Sequence, residues 1–128
     1  MFSCFIVLLT CMRHRNVTKK LDRKKQPREL MLRNLASSIV MYEKVRTTEA
    51  KAKVVRSLVE KAITTSKKGD LTARRALTAL LPQKMAVKKL MEVLGVKYKD
   101  RRGGYTRLVK LGARQGDGAQ IVQIELVQ

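Results

Sequence analysis

The stretch YKDRRGGYTRLVKLG, residues 98–112, is where the chain changes its period. Upstream of it, apolar residues recur every three or four positions, as helices require; from Tyr105 onward the pattern is extended. YTRLVKL and QIVQIELV read as two strands joined across GARQGDGA, whose Gly-Asp-Gly is a turn signal. Val122, Ile124 and Leu126 are expected to face inward from the last strand, with Thr106 and either Leu108 or Val109 from its neighbour. Gly103 and Gly104 can adopt φ > 0 and let another chain come close. Lys97, Lys99, Arg101 and Arg102 precede or flank that pair, and Arg107, Lys110 and Arg114 follow it. The stretch is therefore a tight bend between cations. Arg suits bidentate phosphate contact, and Tyr105 is open to two roles, stacking on an unpaired base or packing on its own sheet.

Moving upstream, Pro27 suits the first turn of a helix, where its missing N–H is not needed. Leu32, Leu35, Ala36, Ile39 and Val40 predict a helix over about 27–42, with Arg28 and Arg33 outside and Ser37 and Ser38 marking either close packing or, by preference, solvent exposure. KVRTT, residues 44–48, is short and β-branched, and predicts a strand. Thr48 is expected to cap a second helix with Glu49 in its first turn. That helix buries Val55, Leu58, Val59, Ala62 and Ile63, presents Lys51, Lys53, Arg56 and Lys61 on its opposite face, and ends at Gly69. Asp70 is expected to cap a third helix with Ala73, Ala76, Leu77, Leu80 and Leu81 on one side, stopping at Pro82. A fourth, from about Gln83 to Leu94, buries Val87, Leu90, Met91 and Leu94 and stops before Gly95. The order is helix, strand, three helices, two strands. It predicts an α+β, two-layer α/β fold with a helical layer on one face of a small sheet.

The 128 residues suit one domain, and 45% hydrophobic content supports a modest core. The 29 Lys and Arg against 10 Asp and Glu give a net charge of +19, which repels itself unless a polyanion is near. The cations are spread along most of the chain, so several faces should meet phosphate, and nucleic acid is the natural partner. No GxxxxGK[ST] or GxGxxG is present to cradle a nucleotide. One histidine, His14, and singly scattered carboxylates provide neither a metal cluster nor a nucleophile–base pair, so no enzymatic role, cofactor, metal or small-molecule substrate is expected.

Residues 1–11, MFSCFIVLLTC, carry no charge and are too short to span a bilayer as a helix. They lack the positive n-region of a secretory signal and the Arg of a transit peptide. The preferred reading makes Met12 the functional start and residues 1–11 an upstream extension. Cys4 and Cys11 both lie there, and Cys11-x-x-His14 is half a metal motif without its other ligands. From Met12 to Gln26, Arg13, Arg15, Lys19, Lys20, Arg23, Lys24 and Lys25 crowd together with little to bury. This predicts a disordered RNA-binding arm over 12–26 that orders on its partner, followed by one globular domain over 27–128.

MRHRNVTKKLDRKKQPRELMLRNLASSIVMYEKVRTTEAKAKVVRSLVEKAI, followed at the right distance by DRRGGYTRLVKLGARQGDGAQIVQIELV, resembles the bacterial large-subunit ribosomal protein family numbered seventeen over about residues 12–128. The resemblance implies a structural constituent of the large subunit. It would contact large-subunit rRNA and neighbouring ribosomal proteins near the polypeptide exit tunnel, in a cytoplasmic ribosome of bacterial type, with an organelle ribosome also open. Arg13, His14 and Arg15 stand in the family's opening motif, and Arg101, Arg102, Gly103, Gly104, Tyr105, Thr106 and Arg107 in its glycine signature. Arg33 and Asn34 stand in the helix-one block, and Arg46, Thr47 and Thr48 follow it. The RNA-binding set expected is these cations with His14, the two glycines and Tyr105, together with Lys19, Lys20, Arg23, Lys24, Lys25, Arg28, Lys110 and Arg114. Residues 1–11 depart from the family pattern. A DNA-binding protein would share the charge, but no heptad or helix-turn-helix cue is present; a membrane-associated basic protein would retain residues 1–11.

Overall fold

The computed structural model describes residues 19–127. The elements run α1 (Lys25–Tyr42), β1 (Lys44–Thr48), α2 (Glu49–Ser66), α3 (Leu71–Leu80), α4 (Lys84–Lys89), a π-helical turn (Leu90–Leu94), α5 (Gly95–Lys97), β2 (Thr106–Ala113) and β3 (Gln120–Leu126). The three strands form one antiparallel sheet in the order β1-β3-β2, so the last strand enters between the other two. This is the expected α+β arrangement.

Strand alternation sorts the sheet into two faces. Val122, Ile124 and Leu126 are buried, and their register partners Val45, Thr47, Thr106 and Leu108 share that face with them. It packs against α1 and α2, whose Ala36, Ile39, Val40, Val55, Val59, Ala62 and Ile63 are all buried. Burying a Val, Leu or Ile side chain contributes about 1.5–3 kcal/mol. Helix propensities differ by less than about 1 kcal/mol per ordinary residue. The apolar stripes therefore set where the helices lie. Val109 pairs with Gln123 and points to the opposite, uncovered face, which leaves Leu108 as the inward residue of β2. Between Lys110 and Gly112 the pairing slips at a β-bulge, with Gly112 at φ +122°.

Several sequence expectations are corrected. α1 begins at Lys25, two residues before the expected boundary, with Pro27 still inside its first turn. The segment before it, expected as disordered arm, is a turn in its described part. Leu21 packs against the core, Leu21 and Asp22 have φ of +55° and +50°, and Arg23 N donates to Lys20 O at 3.3 Å. The apolar Leu21 gives this stretch something to bury, which the charge run obscured. Ser37 is buried, with its hydroxyl donating to Arg33 O at 3.0 Å, so it packs within the helix layer. Ala76 is exposed. Thr48 and Asp70 stand at N-cap positions with extended backbone, but neither makes a side-chain cap bond.

Gly95 does not end the fourth helix. It lies at φ −60° inside a helical path that continues to Lys97. A Cβ there would sit 3.1 Å from Ser66 O and 3.1 Å from Leu90 O. Glycine is present because α2 and this helix meet backbone to backbone. The π turn just before it, which carries one more residue than an α turn, keeps Leu90 and Leu94 buried.

Candidate nucleic-acid interface

Helix α2 covers the sheet with one stripe and leaves another to solvent. Along the open stripe Lys53, Ser57, Lys61 and Thr64 follow one another at four, four and three residues, with Lys68 just beyond the helix end. These spacings put the side chains in one row, rising about 1.5 Å per residue. Two open grooves run along it. One, of about 590 Å³, lies between α2 and the glycine loop and includes Ser57, Lys61, Thr64, Thr65, Lys68, Arg102 and Gly103 in its lining. The other, of about 570 Å³, lies between α2 and the start of α1 and brings in Lys19, Arg28 and Lys53. Ser57 and Lys61 line both, so the two form one basic track.

The loop that forms one wall of the track is held from below. Tyr105 is 1% exposed, and its ring packs 5.2 Å from that of Tyr98 at 56°. Its hydroxyl donates to Arg101 O at 3.1 Å, while the Tyr98 hydroxyl donates to Val127 O at 2.6 Å. Burial pushes the Tyr98 phenol up. The stacking role open to Tyr105 in the sequence is therefore withdrawn, since a buried ring cannot take a base. Gly104 has φ +66°, the left-handed angle that favours glycine, whereas Gly103 does not need it; both positions have open space where a Cβ would stand.

The electrostatics of the track favour an anion. Among the described residues, Lys61, Lys68 and Arg102 have no carboxylate within 4.0 Å, and all three are exposed. Two acids line the track, Glu29 beside α1 and Glu60 on α2, and Glu60 is occupied: its Oε1 accepts from Thr106 Oγ1 at 2.9 Å and from Arg56 Nε at 3.2 Å. Lys53 is paired with Glu49 at 2.6 Å, and that ammonium holds the Glu49 carboxyl below its ordinary value. Among the described residues no group of three or more His, Cys, Asp or Glu could hold a metal, and no helix is long and apolar enough to cross a membrane.

The other expected residues are distributed over the surface. Arg46 and Arg107 lie on the uncovered sheet face, paired in register with Gln123 and Glu125; Arg107 approaches Glu125 at 3.8 Å. Lys110 is exposed at the bulge, and Arg114 is tied at the hairpin tip to Asp117, whose Oδ1 accepts from its Nε at 3.0 Å. Arg33 is exposed on α1, and Lys20, Arg23, Lys24 and Lys25 cluster at its start. Arg13, His14 and Arg15, along with residues 1–11, lie outside the described residues. The sequence reading omitted Ser57, Lys61, Thr64, Thr65 and Lys68 from the site. The signal was present in the helical spacing of lysines and hydroxyls on α2, which reads at first as a solvated face.

The family model for ribosomal protein L17 matches residues 31–127. The chain belongs to the ribosomal protein L17 family. The large ribosomal subunit protein bL17 of Thermoanaerobacter sp. is 53% identical over 109 residues, spanning 85% of this chain and 97% of that protein. Those of Pelobacter propionicus and Rickettsia typhi are 46% and 48% identical, each spanning 91% of this chain. Membership in the L17 family makes the chain a structural component of the large ribosomal subunit of the cytoplasmic ribosome, a ribonucleoprotein working in translation, and not an enzyme.

Proposed function

We propose that this L17 protein binds large-subunit rRNA with the α2 track as its principal contact, and that it lies near the polypeptide exit tunnel among neighbouring ribosomal proteins. The observation that carries the RNA reading is the convergence of Lys61 from α2, Lys68 just beyond its end, Arg102 from the glycine loop, and Arg28 and Lys19 from the start of the chain's described part onto the two adjoining grooves of one track. Such convergence is costly for an isolated domain of net charge +19, and phosphate relieves it. Arg46 and Arg107 offer a second cationic surface on the uncovered sheet face, so the domain can bridge separate rRNA segments. Arg13, His14 and Arg15 join the proposed RNA-binding set as the family resemblance implies. The family resemblance is what supports the position near the exit tunnel.

The test is incorporation. Tagged chain carrying Lys61→Ala, Lys68→Ala and Arg102→Ala is expressed beside the wild type and sedimented through a sucrose gradient. The variant is expected to leave the large-subunit fractions while keeping its circular dichroism. Incorporation equal to wild type would contradict the track as the RNA surface.

A further inference from the structure

We propose that α2 recognises ribose as well as phosphate: Ser57, Thr64 and Thr65 accept hydrogen bonds from the 2′-hydroxyls of a strand lying in the track, so that the track selects RNA over DNA. This rests on the reading of the track as the nucleic-acid surface and assigns the hydroxyl residues between its cations a role of their own.

The hydroxyl hydrogens on this face of α2 are turned toward the helix backbone. Ser57 Oγ donates to Val54 O at 3.0 Å, Thr64 Oγ1 to Glu60 O at 2.9 Å, and Thr65 Oγ1 to Lys61 O at 2.9 Å. Each hydrogen is committed to the helix backbone, and each oxygen retains lone pairs for the groove. Ser57 and Thr64 are exposed, and Thr65 is half-buried. The three therefore present acceptors to whatever lies in the track.

A phosphate has no hydrogen to give such acceptors, so it is drawn instead to the neighbouring ammonium and guanidinium groups. A 2′-hydroxyl is both donor and acceptor, and it is the group by which a protein distinguishes RNA from DNA. The order along the track is lysine, hydroxyl, lysine, hydroxyl, lysine: Lys53, Ser57, Lys61, Thr64, Lys68. Lys53 and Lys61 are separated by about 12 Å of helix rise, with Ser57 midway. A nucleic-acid backbone alternates in the same sense, phosphate then sugar. Deoxyribose would leave the acceptors facing C–H groups, and an acceptor shielded from water without a donor carries a desolvation cost.

The experiment uses the full chain, with an RNA hairpin and the DNA hairpin of the same sequence as probes at one salt concentration. Wild type should bind the RNA more tightly. Thr64→Val with Thr65→Val keeps shape and removes both acceptors; RNA affinity should fall about tenfold, close to the DNA value, with DNA affinity unchanged. Thr64→Ser with Thr65→Ser, which restores the hydroxyls, should recover the RNA preference. Should the valine pair impair folding, Ser57→Ala provides the same reading at a position where a small side chain is exposed. An unchanged RNA preference in these variants, or equal binding of both hairpins by wild type, overturns the ribose proposal while leaving the phosphate track intact. Failure of wild type to bind either hairpin overturns the underlying interface as well.

Discussion

Lys67 Nζ donates to the backbone oxygen of Arg101 at 2.6 Å, tying the end of α2 to the start of the glycine loop. The Tyr105 hydroxyl converges on the same oxygen, and the Lys67 ammonium lies 3.4 Å from that hydroxyl and 5.7 Å from the centre of the ring. Two donors on one carbonyl leave Arg101 and Arg102 little choice of backbone position. The signature tyrosine thus acts below the surface: it holds the loop, and the loop presents the cations.

Tyr105→Phe keeps the buried ring and loses the hydroxyl's two hydrogen bonds, the one donated to Arg101 O and the longer one accepted from Lys67 Nζ. It should lower unfolding free energy by about 1 kcal/mol in a denaturant titration. Tyr105→Ala should cost about 3–5 kcal/mol, because the cavity remains. Equal effects of the two would show that the ring's packing contributes nothing.

Gly95→Ala sets two effects against each other. Alanine gains about 1 kcal/mol of helix propensity over glycine, but its Cβ meets two backbone oxygens at 3.1 Å. Ser66 O is further held by Gly69 N at 3.2 Å, so the contact is not relieved by a side chain turning away. Overpacking of this kind costs about 1–3 kcal/mol. A net loss of about 1 kcal/mol is expected from chemical denaturation, and a stabilised variant would show that the two helices can separate without cost.

Phosphate contact has its own signature in salt. Removing Arg101, Arg102 and Lys61 by alanine substitution should lower the slope of log affinity against log salt by roughly 2–3, at about 0.9 per phosphate on a duplex or 0.7 on a single strand. All three side chains are exposed, so the helical circular dichroism should not change. An unaltered slope measured on an rRNA fragment would remove these residues from the interface.

Asp117 gives a prediction in acid. The Arg114 guanidinium, helped by the Ala119 amide, lowers its carboxyl to about 2. The unfolded value is about 3.9. A group lowered on folding adds stability that is fully present above the unfolded value and is lost as pH falls through the folded one. The carboxyl should titrate near 2 by NMR, and Arg114→Ala should move the midpoint up toward the ordinary value. A midpoint unmoved by that substitution would mean the ion pair is absent in solution.

The legible parts of this fold were those that repeat. Apolar stripes located the helices, and alternation in QIVQIELV picked out Val122, Ile124 and Leu126. What escaped depends on contacts between distant segments. Gly95 resembles a stop, and only the position of the Ser66 carbonyl shows why glycine is needed. Tyr105 could face either way until Tyr98 and Arg101 were placed beside it. Leu21 was hidden in a run of cations because a single apolar residue has no period. The site was half legible: the glycine loop stood out by composition, whereas its opposite wall on α2 looked like any solvated helix face until Arg102 was found across from it.

If rRNA occupies the track between α2 and the glycine loop, it lies against Lys68. A photoreactive lysine analogue at position 68, which keeps length and charge, can be incorporated into assembled large subunits and irradiated. Covalent adducts to large-subunit rRNA are expected. Adducts confined to protein, from chain that nonetheless sediments with the subunit, would contradict the account.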